Sequence, residues 1–339
     1  MYIVIRLHLF FVLAGLVWGL ASCDQPIPRG GGAITTYPYD VVTTCGMVTD
    51  IVGQVGGTKI QVHGLMGEGV DPHLYKPTRG DVLKILSADV VFYSGLMLEG
   101  RMGDTFVMAG RTDKPVVYAV TERIDPSFLL EPDEFVGHTD PHVWMDVNAW
   151  SQCVRVVAKA LSGPKVDPSN ADHYQSNAES YVAQLARLDA YVKQVIASIP
   201  ARQRVLITAH DAFNYFGRAY GIEVMGIQGL STESEAGLAD INRLVDIIVD
   251  NKIAAVFVES SVSERNVQAL IEGAHSRGHE VAIGGTLFSD AMGPSSSYEG
   301  TYIGMIDHNA TTIARALGGD APDRGMQGKL AYRSTDLEP

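Results

Sequence analysis

The chain has 339 residues, enough for two sizeable hydrophobic cores, and its 46% hydrophobic and 19% charged residues are ordinary for a globular protein. The formal net charge is −13, with no basic stripe to neutralise phosphates, which argues against nucleic acid as a partner. The acidity itself reads as solubility and says nothing about metal, which depends on local ligands.

The first segment, MYIVIRLHLFFVLAGLVWGLASC, carries one early charge at Arg6, an apolar run from Leu9 to Leu20 and then small residues. That is the pattern of a secretory signal peptide over 1–22. Leu20-Ala21-Ser22-Cys23 resembles the bacterial lipoprotein cleavage box, so Cys23 is the expected lipid-bearing N-terminus. An uncleaved membrane anchor is the alternative. On either reading the folded part is expected outside the cytoplasm, in the periplasm or at the cell surface, tethered to a membrane. Residues 23–37 are Pro- and Gly-rich and read as the lipidated end and a flexible tether.

From about residue 38 strands alternate with amphipathic helices. DVVTT at 40–44 predicts a strand, followed by a helix with Met47, Ile51 and Val55 on one face. KIQVHG at 59–64 is the next strand, and Thr78 can cap a helix carrying Val82, Ile85 and Leu86. DVVFY at 89–93 and VVYAV at 116–120 follow as strands. Between the halves, Tyr181, Leu185, Leu188, Val192 and Val195 form a sustained helical stripe bounded by Pro168 and Pro200. A helix of about 28 residues there would be about 42 Å long, enough to run along two lobes.

The second half repeats the pattern. VLIT at 205–208 leads to a helix over 213–220 that stops at Gly221. IEVMG at 222–226 is a strand, and Leu238, Ile241, Leu244, Val245 and Ile248 make one helical face. AAVFV at 254–258 is a strand, and Ser261 and Glu264 are spaced as a capping box ahead of Val267, Leu270, Ile271 and Ala274. EVAI at 280–283 closes the series before a flexible GGTLFS stretch, and 319–339 reads as a mobile tail. The alternation predicts an α/β protein of two lobes, each a mostly parallel sheet flanked by helices, joined by one long backbone helix. The expected divisions are an N-terminal lobe at 38–167, the linker helix at 168–200 and a C-terminal lobe at 201–318. Cys45 and Cys153 are expected to be buried free thiols, although an oxidising compartment permits a disulfide.

Four segments carry the chemistry: VDPHLY with His73, TDPHVWMD with His142, TAHDAF with His210 and FSDAMG with Asp290. Three imidazoles and one carboxylate can supply nitrogen and oxygen ligands to one transition-metal ion. Local ligand pairs such as HExxH are absent, so the fold must gather the four, in a site between two lobes. DPH occurs twice, and its proline makes a rigid loop that presents a histidine. His210 closely follows an apolar strand, and ligands in open α/β sheets bind beyond the carboxyl ends of strands. A lone loop histidine is ordinarily just polar; four in these contexts point to metal. His138 is a rim candidate and Cys45 a neighbour of the site. Glu259, Asp146, Asp211 and Trp144 are candidates to orient ligand imidazoles. His63, His173, His275, His279 and His308 have no supporting context.

GLMGEGVDPHLY, DPHVWMDV, VLITAHDAFNYF, FVESS and FSDAMG together resemble the cluster 9 solute-binding lipoproteins of ATP-driven zinc and manganese importers. The resemblance covers roughly 38–318. It implies metal held between the lobes by His73, His142, His210 and Asp290, with one Zn2+ or Mn2+ per chain as transported cargo. It also implies an ABC permease and its ATPase as partners, and a monomeric binding protein. Manganese-selective relatives often carry Glu in place of His210. Zinc-selective ones usually have a long His- and acid-rich loop before the second ligand, where this chain has TERIDPSFLLEPDEFVGHTD with only His138. Both metals therefore stay open. The competing classes are a secreted zinc hydrolase, with Glu259 as general base, and a surface adhesin.

Overall fold

The structure is a computed structural model that describes residues 33–132 and 136–331. The leader, Cys23 and the start of the tether lie outside the described residues.

The β-branched runs of the first half pair in parallel. β1 (Tyr39–Thr43), β2 (Ile60–Gly64), β3 (Val90–Tyr93) and β4 (Val116–Ala119) form one sheet in the order β2-β1-β3-β4. Parallel neighbours need crossovers, supplied by α1 (Gly46–Gly56), α2 (Arg79–Ser87) and α3 (Gly103–Gly110). At α2, Thr78 accepts from the Asp81 backbone while Asp81 reaches back, completing a capping box. Then come α4 (Val147–Leu161) and α5 (Ala171–Ala197).

In the second half β5 (Val205–His210) pairs in parallel with β6 (Glu223–Gln228), and β7 (Ala255–Glu259) with β8 (Ala282–Leu287). β5 lies beside β7. α6 (Asn214–Tyr220), α7 (Leu238–Asn251), α8 (Arg265–Ser276) and α9 (Tyr302–Ala316) complete the lobe. Gly221 ends α6 in the left-handed conformation, φ 71°.

The predicted long helix is α5, 27 residues and so about 40 Å long. Tyr181, Leu185, Leu188, Val192 and Val195 are all buried. The helix packs on α1 and α4 of the first lobe and on α6 and α9 of the second. One apolar core runs through all five. Polar ties reinforce it: Tyr181 donates to Asp50 at 2.5 Å, and the Tyr191 hydroxyl lies 2.8 Å from Thr311 Oγ1. At about 1.5–3 kcal/mol per buried large side chain, peeling a lobe off α5 is costly. The connection is a shared wall rather than a loose hinge.

Four expectations are corrected. Ser261 does not cap α8: Glu264 takes the N-cap position without a side-chain bond, and Ser261 Oγ lies 3.2 Å from Ser289 Oγ instead. GGTLFS is not a flexible stretch, since β8 runs through both glycines to Leu287. A Cβ on Gly284 would sit 2.7 Å from the Phe257 ring, so glycine there permits close packing. The tail expected to be mobile from 319 packs as far as it is described: Leu330 is buried, and Met326 N–H donates to Asp307. The end of the expected tether is also fixed, with Ile34 N–H donating to Val166 O at 2.7 Å. Cys45 and Cys153 are buried free thiols. No described helix is long and apolar enough to cross a membrane.

Candidate metal centre

His73, His142, His210 and Asp290 meet in one buried cluster. Their donor atoms all lie within 4.8 Å of one another. His73 and His142 sit on the two DPH loops, His210 is the last residue of β5, and Asp290 follows β8. The two DPH loops fold alike locally. Asp71 Oδ1 accepts from His73 N–H at 2.8 Å, and Asp140 Oδ1 accepts from His142 N–H at 2.9 Å. Proline between the two fixes that turn.

The imidazoles are held by their outer nitrogens. Asp140 Oδ1 lies 2.7 Å from His142 Nδ1. Glu259 grips His210 with both oxygens, Oε2 at 2.6 Å from Nδ1 and Oε1 at 2.8 Å from the backbone N–H. Each carboxylate selects the tautomer whose Nε2 lone pair faces inward. Asp140 is itself fixed by Asn214 at 3.1 Å and, through its carbonyl, by Tyr215 at 2.8 Å. Trp144 donates to Ser289 O at 2.9 Å and so steadies the residue before Asp290.

The inner atoms converge. His73 Nε2 is 3.3 Å from His142 Nε2 and 3.7 Å from Asp290 Oδ2. Asp290 Oδ1 is 3.4 Å from His142 Nε2, and Oδ2 is 3.2 Å from His210 Nε2. Ligands about 2.05 Å from a tetrahedral zinc are about 3.3 Å apart, so these edges suit one ion. His210 Nε2 and both Asp290 oxygens are buried without a hydrogen-bond partner. Buried polar atoms are rarely left so unless something else binds them. With both carboxylate oxygens inward, the set offers up to five donors.

The electrostatics agree. Burial pulls the His73 imidazole down to about 4. Burial would also lower His142 and His210, but neighbouring carboxylates outweigh it. Asp140 and Asp290 bring His142 up to about 9, and Glu259 with Asp290 hold His210 well above its ordinary value. Burial would raise Asp290, yet His210 and His142 keep its carboxyl well below the usual range. The cluster is built to stay anionic at Asp290 and to hold positive charge at its centre.

The other candidates fall elsewhere. Asp146 caps α4 and pairs with Arg218. Asp211 is half-buried, its carboxyl pushed up by burial to about 6. Cys45 precedes α1, its thiol pushed up by burial to about 12, and is outside the donor group. His138 is exposed and also outside it. His63 faces Asp40, His275 faces Glu280, and His173, His279 and His308 meet backbone carbonyls. The sequence reading missed Asp140 as the partner of His142, although its place two residues ahead in DPH was the available signal.

If these carboxylates set ligand orientation, Glu259→Gln and Asp140→Asn should each weaken metal binding by roughly 10–100-fold while leaving the fold intact. Competition against a chelating indicator checks this, with circular dichroism as the control.

A profile of the family described as "Zinc-uptake complex component A periplasmic" matches residues 41–316. The chain is 48% identical over 287 residues to the manganese-binding lipoprotein MntA of Bacillus subtilis (strain 168), spanning 84% of this chain and 92% of that protein. It is 47% identical over 277 residues to the zinc-binding protein TroA of Treponema pallidum (strain Nichols), spanning 82% and 88%. The solved structure of the periplasmic zinc binding protein TroA from Treponema pallidum matches with a TM-score of 0.78 at 46% identity, covering 82% of this chain and 99% of that one.

Proposed function

The chain belongs to the zinc-uptake complex component A family, and from that premise we propose that it captures one divalent transition metal, zinc or manganese, outside the cytoplasm and delivers it to an ATP-driven importer. We assign His73, His142, His210 and Asp290 as the ligands. The observation that carries this is the convergence of four buried donors, three of whose inward atoms have no other partner. The divisions at 38–167, 168–200 and 201–318 serve the same reading, with α5 as a stiff spine between lobes that hold the ion.

The donor set suits both metals. Three imidazoles favour zinc, which also stands above manganese in intrinsic affinity, while a carboxylate serves either. The two relatives of nearly equal identity carry names for different metals. Elemental analysis of protein isolated from its native host, without added metal, decides the cargo. Protein that carries neither metal, and binds neither in titration, would refute the proposal.

Binding is favoured over catalysis. A catalytic zinc needs an open coordination position and a free general base. All four ligands are buried, and Glu259 has both oxygens committed to His210. The partners follow as a permease with its ATPase, served by a monomer anchored through lipid at Cys23. Cys23→Ala should move the protein from the detergent phase to the aqueous phase with metal affinity unchanged, since the residue is remote in sequence from every ligand. Retention in the detergent phase would favour an uncleaved anchor.

A further inference from the structure

The chain between β6 and α7, residues 229–237, reaches from the second lobe to the first beside the His73 loop. Thr232 Oγ1 donates to Asp71 Oδ2 at 2.5 Å. Arg101, beyond the end of β3, pairs with Glu233 Oε1, with Nε and Nη2 both at 3.0 Å. The other oxygen of Asp71 accepts from the backbone N–H of His73 at 2.8 Å and of Leu74 at 3.4 Å. One carboxylate thus ties the backbone of the first DPH loop to the second lobe.

His73 depends on this more than the other imidazoles do. His142 and His210 each have a carboxylate on Nδ1. Among the described residues no carboxylate meets His73 Nδ1, and at 5% it is the most exposed of the four ligands. Its placement runs through Asp71, and so through Thr232. Thr232 is 9% exposed, so its bond to a charged acceptor is shielded from water. The Arg101–Glu233 pair is about half exposed and contributes little by itself. A cleft of about 480 Å³ borders the segment, lined by Ser234, Gly237, Gln228 and Asn214. Glycines stand at both ends, Gly229 and Gly237. The segment has free space beside it.

We propose that residues 229–237 form a strap that sets how fast metal leaves, with Thr232 acting as a positioning residue for His73 through Asp71. This rests on the metal-binding reading above. When the strap lifts, Asp71 loses its anchor across the cleft and the His73 loop is released first, lowering the coordination number while His142, His210 and Asp290 stay in place.

The test uses the full chain loaded with zinc and mixed with excess chelator, following release by stopped flow. Thr232→Val keeps the side chain's shape and removes the donor. It should release zinc roughly tenfold faster or more, the size expected for one hydrogen bond to a charged group. Thr232→Ser should restore the parent rate. Arg101→Glu sets two acids against each other on the exposed surface, so it tests the strap without burdening the core; it should also speed release, most at low salt. Parent release rates in both Thr232→Val and Arg101→Glu would overturn the strap. So would a Thr232→Ser protein as fast as Thr232→Val. A parent chain that binds no zinc is a separate result, which refutes the metal-binding reading itself.

Discussion

His210→Ala is expected to weaken metal binding by roughly 10²–10³-fold without unfolding the protein. Four-ligand zinc sites have apparent binding free energies of about 10–16 kcal/mol, so one ligand in four is worth about 2.5–4 kcal/mol. Each 1.4 kcal/mol is a factor of ten. His210 is the most constrained of the imidazoles, since Glu259 holds both its ring and its backbone. The deletion also leaves Glu259 buried without the ring it grips, a cost in stability that the metal-free and loaded forms share. Alanine at His73, His142 or Asp290 should act in the same direction. Isothermal titration with a competing chelator measures all four, and parent affinity in the His210→Ala protein would remove it from the ligand set.

Metal binding should tighten as pH rises, by at least about tenfold per pH unit between about pH 5 and 8, because His142 gives up a proton for each ion bound. In the metal-free protein Asp140 and Asp290 bring His142 up to about 9, so it is protonated at neutral pH, and Glu259 with Asp290 shift His210 in the same direction. A proton on His142 then stands in for part of the charge of a divalent cation beside Asp290. Loading exchanges that proton for the ion. His73, at about 4, is already neutral at pH 7 and its proton competes with the ion only in acid. The sign for the metal-free fold is opposite. A raised His142 stabilises it fully below about pH 6.5, and that contribution fades as pH rises through about 9. Proton release per ion, read by titration in two buffers of different ionisation enthalpy, checks the count. A value near zero would show that the histidines are not the groups displaced.

Most of the architecture was legible because it rests on local patterns. β-Branched runs such as VLIT made strands, and the stripe from Tyr181 to Val195 made α5. The four residues of the proposed site, which the fold does bring together, were legible because each sits in a distinctive turn, two in DPH and two near strand ends. The rest was set by tertiary contact. Gly284 and Gly285 looked like a flexible break, yet the approach of Phe257 makes them part of β8. Ser261 and Glu264 had the spacing of a capping box, but spacing does not place a cap when Ser261 turns toward Ser289. Leu330 lacked periodicity and is buried all the same. The bond from Thr232 to Asp71 joins segments with no sequence relation, so only the folded chain reveals it.

Anomalous X-ray diffraction at the zinc absorption edge, from crystals of the chain loaded with one equivalent of zinc, tests the central claim most directly. A single strong peak is expected, bonded to Nε2 of His73, His142 and His210 at about 2.0–2.1 Å and to the Asp290 carboxylate at about 2.0–2.2 Å. A peak at any other residues, or no ordered peak in protein that titrates one ion per chain, would contradict it.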